Sequence, residues 1–115
     1  MNLLGIDFED WYHPELVQKY VRTKKEPTII NGIDKIIDIL SKNDTYATFF
    51  VVGELLEHRP ELLDKILANG HEIGFHTMHH TRIDLLHQDA FIEELETFNR
   101  LTKGKSKGFR APTFS

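Results

Sequence analysis

Apolar residues along the chain form short runs that alternate with stretches of helical spacing. The run over residues 3–8 has the length and composition of a buried strand. Residues 46–52 are rich in aromatic and β-branched side chains, and residues 71–75 form a similar short run before His76. A fourth run begins at residues 108–110. The pattern therefore predicts four strands.

Three segments between these strands place apolar side chains on one side of a helix. The first follows Pro27, and the second starts near Pro60 and stops at residues 69–70. The third is expected to be capped by Asp89 and to end at Gly104. The predicted buried stripes are Ile29, Ile30, Ile33, Ile36, Ile37 and Leu40, then Leu62, Leu63, Ile66 and Leu67, then Phe91, Ile92, Leu95, Phe98 and Leu101.

The remaining segments have weak periodicity and predict loops. Residues 11–25 are expected to carry one helical turn after Pro14, and residues 77–88 form a long loop. The predicted order is β-α-β-α-β-α-β. Strands that alternate with helices pair in parallel through right-handed crossovers. The fold class is therefore α/β, either as an open sheet or as an arc of a barrel.

Composition narrows the class of protein. The chain has 115 residues, a net charge of −4 and no cysteine. The acidic balance argues against a nucleic-acid partner, because phosphate binding favours a basic face. No apolar run approaches the roughly 18 to 20 residues of a membrane span, and no basic segment precedes an apolar one at the N-terminus. We therefore expect a cytoplasmic protein with no membrane partner.

Polar residues follow three of the predicted strands. Asp7, Glu9 and Asp10 follow the first, His76 and His80 follow the third, and Arg110 lies at the fourth. The carboxyl ends of parallel strands lie on one side of a sheet or barrel, where α/β proteins carry their active sites. These residues are therefore expected to converge on one site.

The two histidines are candidate metal ligands. His76 and His80 are four positions apart, and on a helical turn this spacing places both imidazoles on one face. A nearby carboxylate would complete a site for zinc, cobalt, nickel or iron with open positions for water and substrate. His79 lies off this face and is expected to be exposed. The other histidines, His13, His58, His71 and His87, are assigned structural or solvent roles.

The acidic residues are candidates for two roles, metal ligand and general base. Asp7 and Glu9 share a face of a strand, because side chains alternate with a period of two. Asp10 reaches that face only if the strand has already ended. One acid could bind the metal while another takes a proton from bound water. Strand alternation favours Glu9 as the ligand, with Asp10 as the alternative.

The segment after the fourth strand supplies further candidates. Arg110 can pair with a carboxylate and hold its orientation. Pro112 restricts Ala111 to extended geometry, so the backbone N–H of Thr113 could serve as an oxyanion donor. We assign Thr113 and Trp11 to the substrate side of the site.

Several of these segments together resemble the polysaccharide deacetylases of carbohydrate esterase family 4, which carry a NodB-type domain. The family's Thr-Phe-Asp-Asp-Gly motif is matched by residues 6–11, its His-Ser/Thr-x-x-His-Pro motif by residues 76–81, and its Arg-x-Pro-aromatic motif by residues 110–114. The stretches at residues 47–51 and 70–74 are also similar. The first motif is closer to a branch with Asp-x-Glu-Asp-Trp/Tyr-Phe/Tyr-His. Thr81 replaces the usual proline, and Phe114 stands one place late for the aromatic residue.

The resemblance implies roles for individual residues. Asp7 would be the general base, His76 and His80 would bind a divalent metal, and Arg110 would hold Asp7. Zinc is the expected metal, with cobalt, nickel, iron or manganese as alternatives. The implied activity is hydrolysis of N-acetyl groups on a polysaccharide or amino sugar. The alternatives are a non-catalytic metal- or carbohydrate-binding module, a small-molecule amidase of the same superfamily, or another barrel metallohydrolase; the last usually shows His-x-His at the first strand, where this chain has Asp-x-Glu.

The resemblance also implies an incomplete domain. The family fold is a distorted (β/α)7 barrel about twice as long as this chain. Residues 1–115 are expected to be its N-terminal portion, a partial (β/α) barrel of about four parallel strands that is inactive alone. The family's general acid, a histidine of a later motif, would lie beyond Ser115. The last strand would form an exposed edge that favours self-association.

Overall fold

The structure is a computed structural model that describes residues 3–115. Four strands alternate with helices along the chain, as the hydrophobic pattern predicts. The strands are β1 (Gly5–Phe8), β2 (Thr48–Val51), β3 (Glu72–Phe75) and β4 (Ser106–Phe109). The helices are α1 (Glu15–Gln18), α2 (Ile33–Lys42), α3 (Glu54–His58), α4 (Glu61–Ala68) and α5 (Gln88–Leu101), and 3₁₀ turns occupy Ile29–Gly32, Ile83–Leu85 and Pro112–Phe114.

The four strands form one parallel sheet in the order β1-β2-β3-β4. The register is regular across the first three strands, where Phe8, Val51 and Phe75 are aligned. Pairing of β3 with β4 is irregular between Ile73 and Phe75. Since all four strands run the same way, their carboxyl ends lie at one edge of the sheet, as predicted.

The helices cover one face of this sheet. Every buried side chain of α2 to α5 within the described residues belongs to a single core, together with the strand residues Phe8, Phe49, Val51, Ile73 and Phe75. Alternate strand residues point to the other face, where they line a concave cavity of about 520 Å³. Gly5, Thr48 and Phe50 are among its lining residues. A layer of helices on one face is typical of a barrel arc, whereas a doubly wound open sheet carries helices on both faces. The partial (β/α) barrel is therefore confirmed.

The structure differs from the sequence-based expectations in three places. Helix α3 was not predicted, because its five residues are too few to show a helical period; Leu55 and Leu56 are both fully buried. Asp89 does not cap α5, which begins at Gln88 and has no capping hydrogen bond from a side chain. Strand β4 begins at Ser106, and Arg110 follows the strand instead of lying within it.

The predicted buried stripe of α5 is only partly buried. Phe98 is completely enclosed, whereas Ile92 and Leu95 are exposed. Strand β4 is the last strand of the sheet, so the described residues place no further element beyond this side of α5. Between residues 3 and 115, none of the helices combines the length and the apolar character that crossing a membrane requires.

Candidate metal centre

Three side chains converge beyond the carboxyl ends of β1 and β3. Glu9, His76 and His80 each present a ligand atom, and these atoms lie within 4.8 Å of one another. The Nε2 atom of His80 lies 2.5 Å from Oε2 of Glu9, and Nε2 of His76 lies 3.7 Å from the same oxygen. The structure therefore brings together two histidines and one carboxylate, the donor set expected from the sequence.

The backbone sets the orientation of His76. Its Nδ1 lies 2.6 Å from the carbonyl oxygen of Arg110. A carbonyl only accepts hydrogen bonds, so Nδ1 carries the proton and the lone pair of Nε2 is left facing Glu9. Burial lowers the pKa of His76, more than the carbonyl of Arg110 and the nearby carboxylates raise it, and this favours the neutral imidazole. A neutral imidazole with a free Nε2 is the form that binds a cation.

His80 reaches the site through an irregular loop, not the helical turn that we inferred from the spacing. Thr77 and His80 both have positive φ angles, 59° and 58°. The Oγ1 atom of Thr77 accepts a hydrogen bond from the backbone N–H of Thr81 at 3.0 Å, which closes the loop. The two imidazole rings end with their centroids 5.0 Å apart. The two histidines are thus close together, although not for the reason that their spacing suggested.

The electrostatics of this cluster suit a cation. Oε2 of Glu9 and Nδ1 of His80 are buried polar atoms without a hydrogen bond among the residues that the structure describes. Burial by itself would raise the pKa of Glu9, but the adjacent His80 and His76 outweigh it and lower that pKa. A buried carboxylate oxygen that lies close to two ring nitrogens without a well-directed N–H is poorly satisfied unless a positive ion lies between them. The residues present therefore fit a divalent metal ion.

Asp10 lies outside this cluster, although it was the alternative ligand. Its buried carboxylate accepts hydrogen bonds from the backbone N–H groups of Trp11, Thr28 and Ile29, and from the hydroxyl of Thr28. Asp10 thus ties the loop after β1 to the 3₁₀ turn that precedes α2. Its lone pairs are occupied by these donors, so the structure offers Glu9, and not Asp10, to the histidines.

Asp7 and Arg110 form an ion pair beside the cluster. Nη1 of Arg110 donates to Oδ1 of Asp7 at 2.6 Å, through one N–H and without the second bond of a bidentate pair. The other carboxylate oxygen, Oδ2, lies 4.0 Å from Nε2 of His76. One oxygen of Asp7 is therefore held by the arginine, while the other faces the candidate metal ligands.

Two strand residues support this arginine. The guanidinium carbon of Arg110 lies 4.2 Å from the centre of the Phe50 ring, within the range of a cation–π contact. Nη2 of Arg110 lies 2.2 Å from the position where a Cβ on Gly5 would stand. The guanidinium thus rests on Phe50 and crosses β1 at a point where only glycine leaves room.

The two residues assigned to the substrate side are exposed. Trp11 has 45% of its surface exposed, and its indole N–H lies 3.4 Å from the carbonyl oxygen of Glu26. Thr113 has a positive φ of 55°, and its hydroxyl donates to the carbonyl oxygen of Pro112. The structure shows no contact of either residue with the three candidate ligands.

Sequence reasoning missed Glu54. One of its carboxylate oxygens contacts Nε2 of His13, and the other lies 3.0 Å from Nδ1 of His79. Burial would raise the pKa of Glu54, but the hydrogen bonds with His13 and His79 outweigh it and lower the pKa to about 2. Glu54 belongs to the helix that was not predicted, so no sequence signal marked it. His13 and His71 are buried, as the structural roles assigned to them require, while His58 and His87 are exposed.

Comparison with known families identifies the family of this chain. The sequence model of the polysaccharide deacetylase family matches residues 11–115. The chain therefore belongs to the polysaccharide deacetylases, carbohydrate esterase family 4, and the resemblance stated from the motifs is confirmed.

The chain aligns with part of the length of individual relatives. An uncharacterized 30.6 kDa protein of Geobacillus stearothermophilus is 35% identical, with 77% of this chain and 38% of that protein covered. A peptidoglycan-N-acetylmuramic acid deacetylase of Bacillus subtilis is 33% identical, with 70% of this chain and 34% of that protein covered. The chain thus spans little more than a third of the length of these curated relatives.

A solved structure extends the comparison to the whole fold. This structure, of a mutant CE4 family pseudoenzyme with restored enzymatic activity, is 26% identical and has a TM-score of 0.73. The match covers 98% of this chain and 36% of that one. The described fold therefore corresponds to about a third of that chain.

Proposed function

We propose that this chain provides the metal centre and the general base of a metal-dependent deacetylase that removes N-acetyl groups from a polysaccharide or amino sugar. The observation that supports this proposal most directly is the cluster of Glu9, His76 and His80, with an oxygen of Asp7 4.0 Å from His76. The name of the Bacillus subtilis relative points to peptidoglycan as one substrate class.

Each of these residues would have a separate role in amide hydrolysis. Glu9, His76 and His80 would hold the divalent ion, with zinc the first candidate. When bound, the ion would supply a Lewis acid that polarises the acetamide carbonyl and lowers the pKa of water. Asp7 accepts the proton of the attacking water at its free oxygen, Oδ2. Arg110 holds Oδ1 and fixes the direction in which Asp7 presents that free oxygen.

The residues near the rim would bind substrate. The exposed indole of Trp11 offers a flat apolar surface on which a sugar ring can stack. Trp11 lies two residues after Glu9, in the loop that follows β1. The backbone N–H of Thr113 would donate to the carbonyl oxygen as negative charge develops there. Both assignments extend the site beyond the ionisable cluster.

Acetate release from N-acetylglucosamine oligomers or peptidoglycan, in the presence of Zn²⁺ or Co²⁺, tests the proposal. The measurement is best made on the protein expressed from its complete gene, because the chain spans about a third of its curated relatives. Asp7→Asn should keep metal affinity and lose turnover by about 10²- to 10⁴-fold, the usual contribution of a general base. The proposal would be refuted if the protein bound metal and released no acetate from any N-acetylated substrate.

A second candidate is a metal- or carbohydrate-binding module without catalysis. The relevant observation is the likeness to a CE4 family pseudoenzyme, a protein whose enzymatic activity is restored in a mutant. This candidate predicts metal and glycan binding with the same cluster and no acetate release. The assay described above distinguishes the two.

A further inference from the structure

Glu54 lies between the two loops that carry the candidate ligands. It is the first residue of α3, and 24% of its side chain is exposed. One carboxylate oxygen contacts His13, in the segment that follows β1, and the other contacts His79, in the loop that follows β3. A single carboxylate thus joins two segments that are distant in sequence.

The contact with His13 extends to the backbone next to Glu9. Nδ1 of His13 accepts a hydrogen bond from the backbone N–H of Asp10 at 2.7 Å. An accepting Nδ1 carries no proton, so Nε2 of this neutral ring must carry it and donate to Glu54. The backbone N–H of His13 in turn donates to the carbonyl of Asp10 at 3.0 Å. Glu54 therefore holds the β1 loop one residue from the candidate ligand Glu9.

The other oxygen holds the loop of the histidine ligands. His79 directly precedes His80, and its Nδ1 lies 3.0 Å from Glu54 although 60% of its side chain is exposed. The backbone at the start of α3 binds the same loop: the N–H groups of Gly53 and Glu54 donate to the carbonyls of Thr77 and Met78, each at 3.0 Å.

The packing at Gly53 shows how tightly this loop is docked. A Cβ at Gly53 would stand 2.2 Å from the sulfur of Met78, so the side chain of Met78 fills the space beside Gly53. Met78 is buried, and its backbone N–H donates to Glu94 of α5 at 2.9 Å. The loop after β3 is thus fixed against the start of α3, and Glu54 links this assembly to the loop after β1.

We propose that Glu54 is a positioning residue that sets the distance between Glu9 and the histidine pair, and with it the geometry of the metal centre. This inference rests on the proposed metal site and deepens it. Glu54 does not touch the metal or the substrate, because both of its oxygens are occupied by His13 and His79. Its effect passes through these two histidines to the loops that hold the ligands.

Co²⁺ binding to wild type and Glu54→Gln tests the proposal. Titration calorimetry measures the affinity, and the visible absorption of bound Co²⁺ reports the coordination geometry of the folded fraction. Substitution of residues that orient metal ligands typically lowers affinity about 10- to 100-fold, and we expect a loss in this range together with a changed spectrum. Glu57→Gln, on the exposed side of the same helix, removes the same charge and should leave both unchanged.

His79→Ala provides a second variant that keeps the fold, because this side chain is mostly exposed. We expect a smaller loss of Co²⁺ affinity than in Glu54→Gln, with a spectral change of the same kind. If Glu54→Gln and His79→Ala both keep the wild-type affinity and spectrum in their folded fractions, Glu54 has only a structural role and the inference is overturned. If wild type itself binds no Co²⁺, the metal centre of the proposed function fails, and the positioning role fails with it.

Discussion

Neighbouring acids in the loop after β1 have different roles because their hydrogen-bond partners differ. Glu9 faces two imidazoles and leaves one oxygen without a donor, whereas Asp10 accepts bonds from residues on both sides of a long loop. At the scale of single residues, the hydrogen-bond donors around each carboxylate therefore distinguish a candidate ligand from an acid with a structural role. The same reasoning separates His80, which meets Glu9, from the adjacent His79, which meets Glu54.

Substitution of each acid should separate these roles. Glu9→Gln is expected to lower Co²⁺ affinity at least about 10-fold with little loss of stability, because one ligand charge disappears from the cluster. Asp10→Asn is expected to keep Co²⁺ affinity and to lower the free energy of unfolding by about 1–3 kcal/mol, because buried donors lose a charged acceptor. Calorimetric titration and urea unfolding measure the two quantities. The reverse pattern would make Asp10 the ligand.

The ionisation of Glu54 predicts a pH dependence of stability. Its pKa is about 2 in the fold against 4.5 for an ordinary glutamate, so folding favours the ionised form. The resulting stability is complete above pH 4.5 and is lost as the pH falls from 4.5 towards 2. Urea unfolding at several pH values in this window should show a shallower decline for Glu54→Gln than for wild type. Glu57→Gln serves as the control, and an identical decline in Glu54→Gln and wild type would contradict the assignment.

At the scale of secondary structure, residues of the sheet position Arg110 as well as the candidate ligands. Phe50 of β2 lies under the guanidinium of Arg110, and the ring of Phe50 is itself accommodated by Gly74 of β3, where a Cβ would stand 2.7 Å from it. Gly5 of β1 leaves the space through which Arg110 reaches Asp7. Three adjacent strands therefore contribute to the placement of Asp7, the proposed general base.

Gly5→Ala should disturb this placement without removing any functional group. The new methyl group would overlap the guanidinium, so Arg110 has to move and the hydrogen bond to Asp7 is lost. We expect kcat/KM for acetate release to fall by about 10²-fold, the scale of a displacement of about 1 Å at a reacting group, while Co²⁺ affinity is retained. Gly32→Ala is the matched control, because nothing lies within 4 Å of a Cβ there. Equal activity of the two variants would show that Arg110 does not act through this contact.

At the scale of the whole molecule, the sheet has two open edges among the described residues. Strands β1 and β4 each pair on one side only. Beside β4, the exposed side chains of Ile92, Leu95 and Phe109 lie on α5 and on the strand itself. Unpaired backbone groups next to exposed apolar side chains favour association with another chain.

Self-association of the isolated chain is therefore expected to depend on β4. Sedimentation velocity over a range of concentrations should detect dimers or larger species, and Phe109→Lys should shift the distribution towards monomer by placing a charge on the edge. Leu16→Lys changes an equally apolar and more exposed residue on α1 and should have no such effect. Monomeric wild-type protein at all concentrations would contradict this prediction.

The hydrophobic pattern is sufficient to predict the alternation of strands and helices, the parallel sheet and the residues gathered at its carboxyl edge. These features follow from local hydrophobic periods and from the rule that parallel strands end on the same side. The candidate ligands could also be identified in this way, since histidines and acids follow directly after predicted strands.

The different surroundings of these residues arise from contacts between distant segments. The choice of Glu9 over Asp10 depends on donors from Thr28 and Ile29, 18 and 19 residues beyond Asp10. The meeting of His76 and His80 depends on two residues with positive φ, which the helical interpretation did not anticipate. Glu54 is linked to His13 across 41 residues and to His79 across 25. Contacts of this range arise from packing, and no local period in the sequence encodes them.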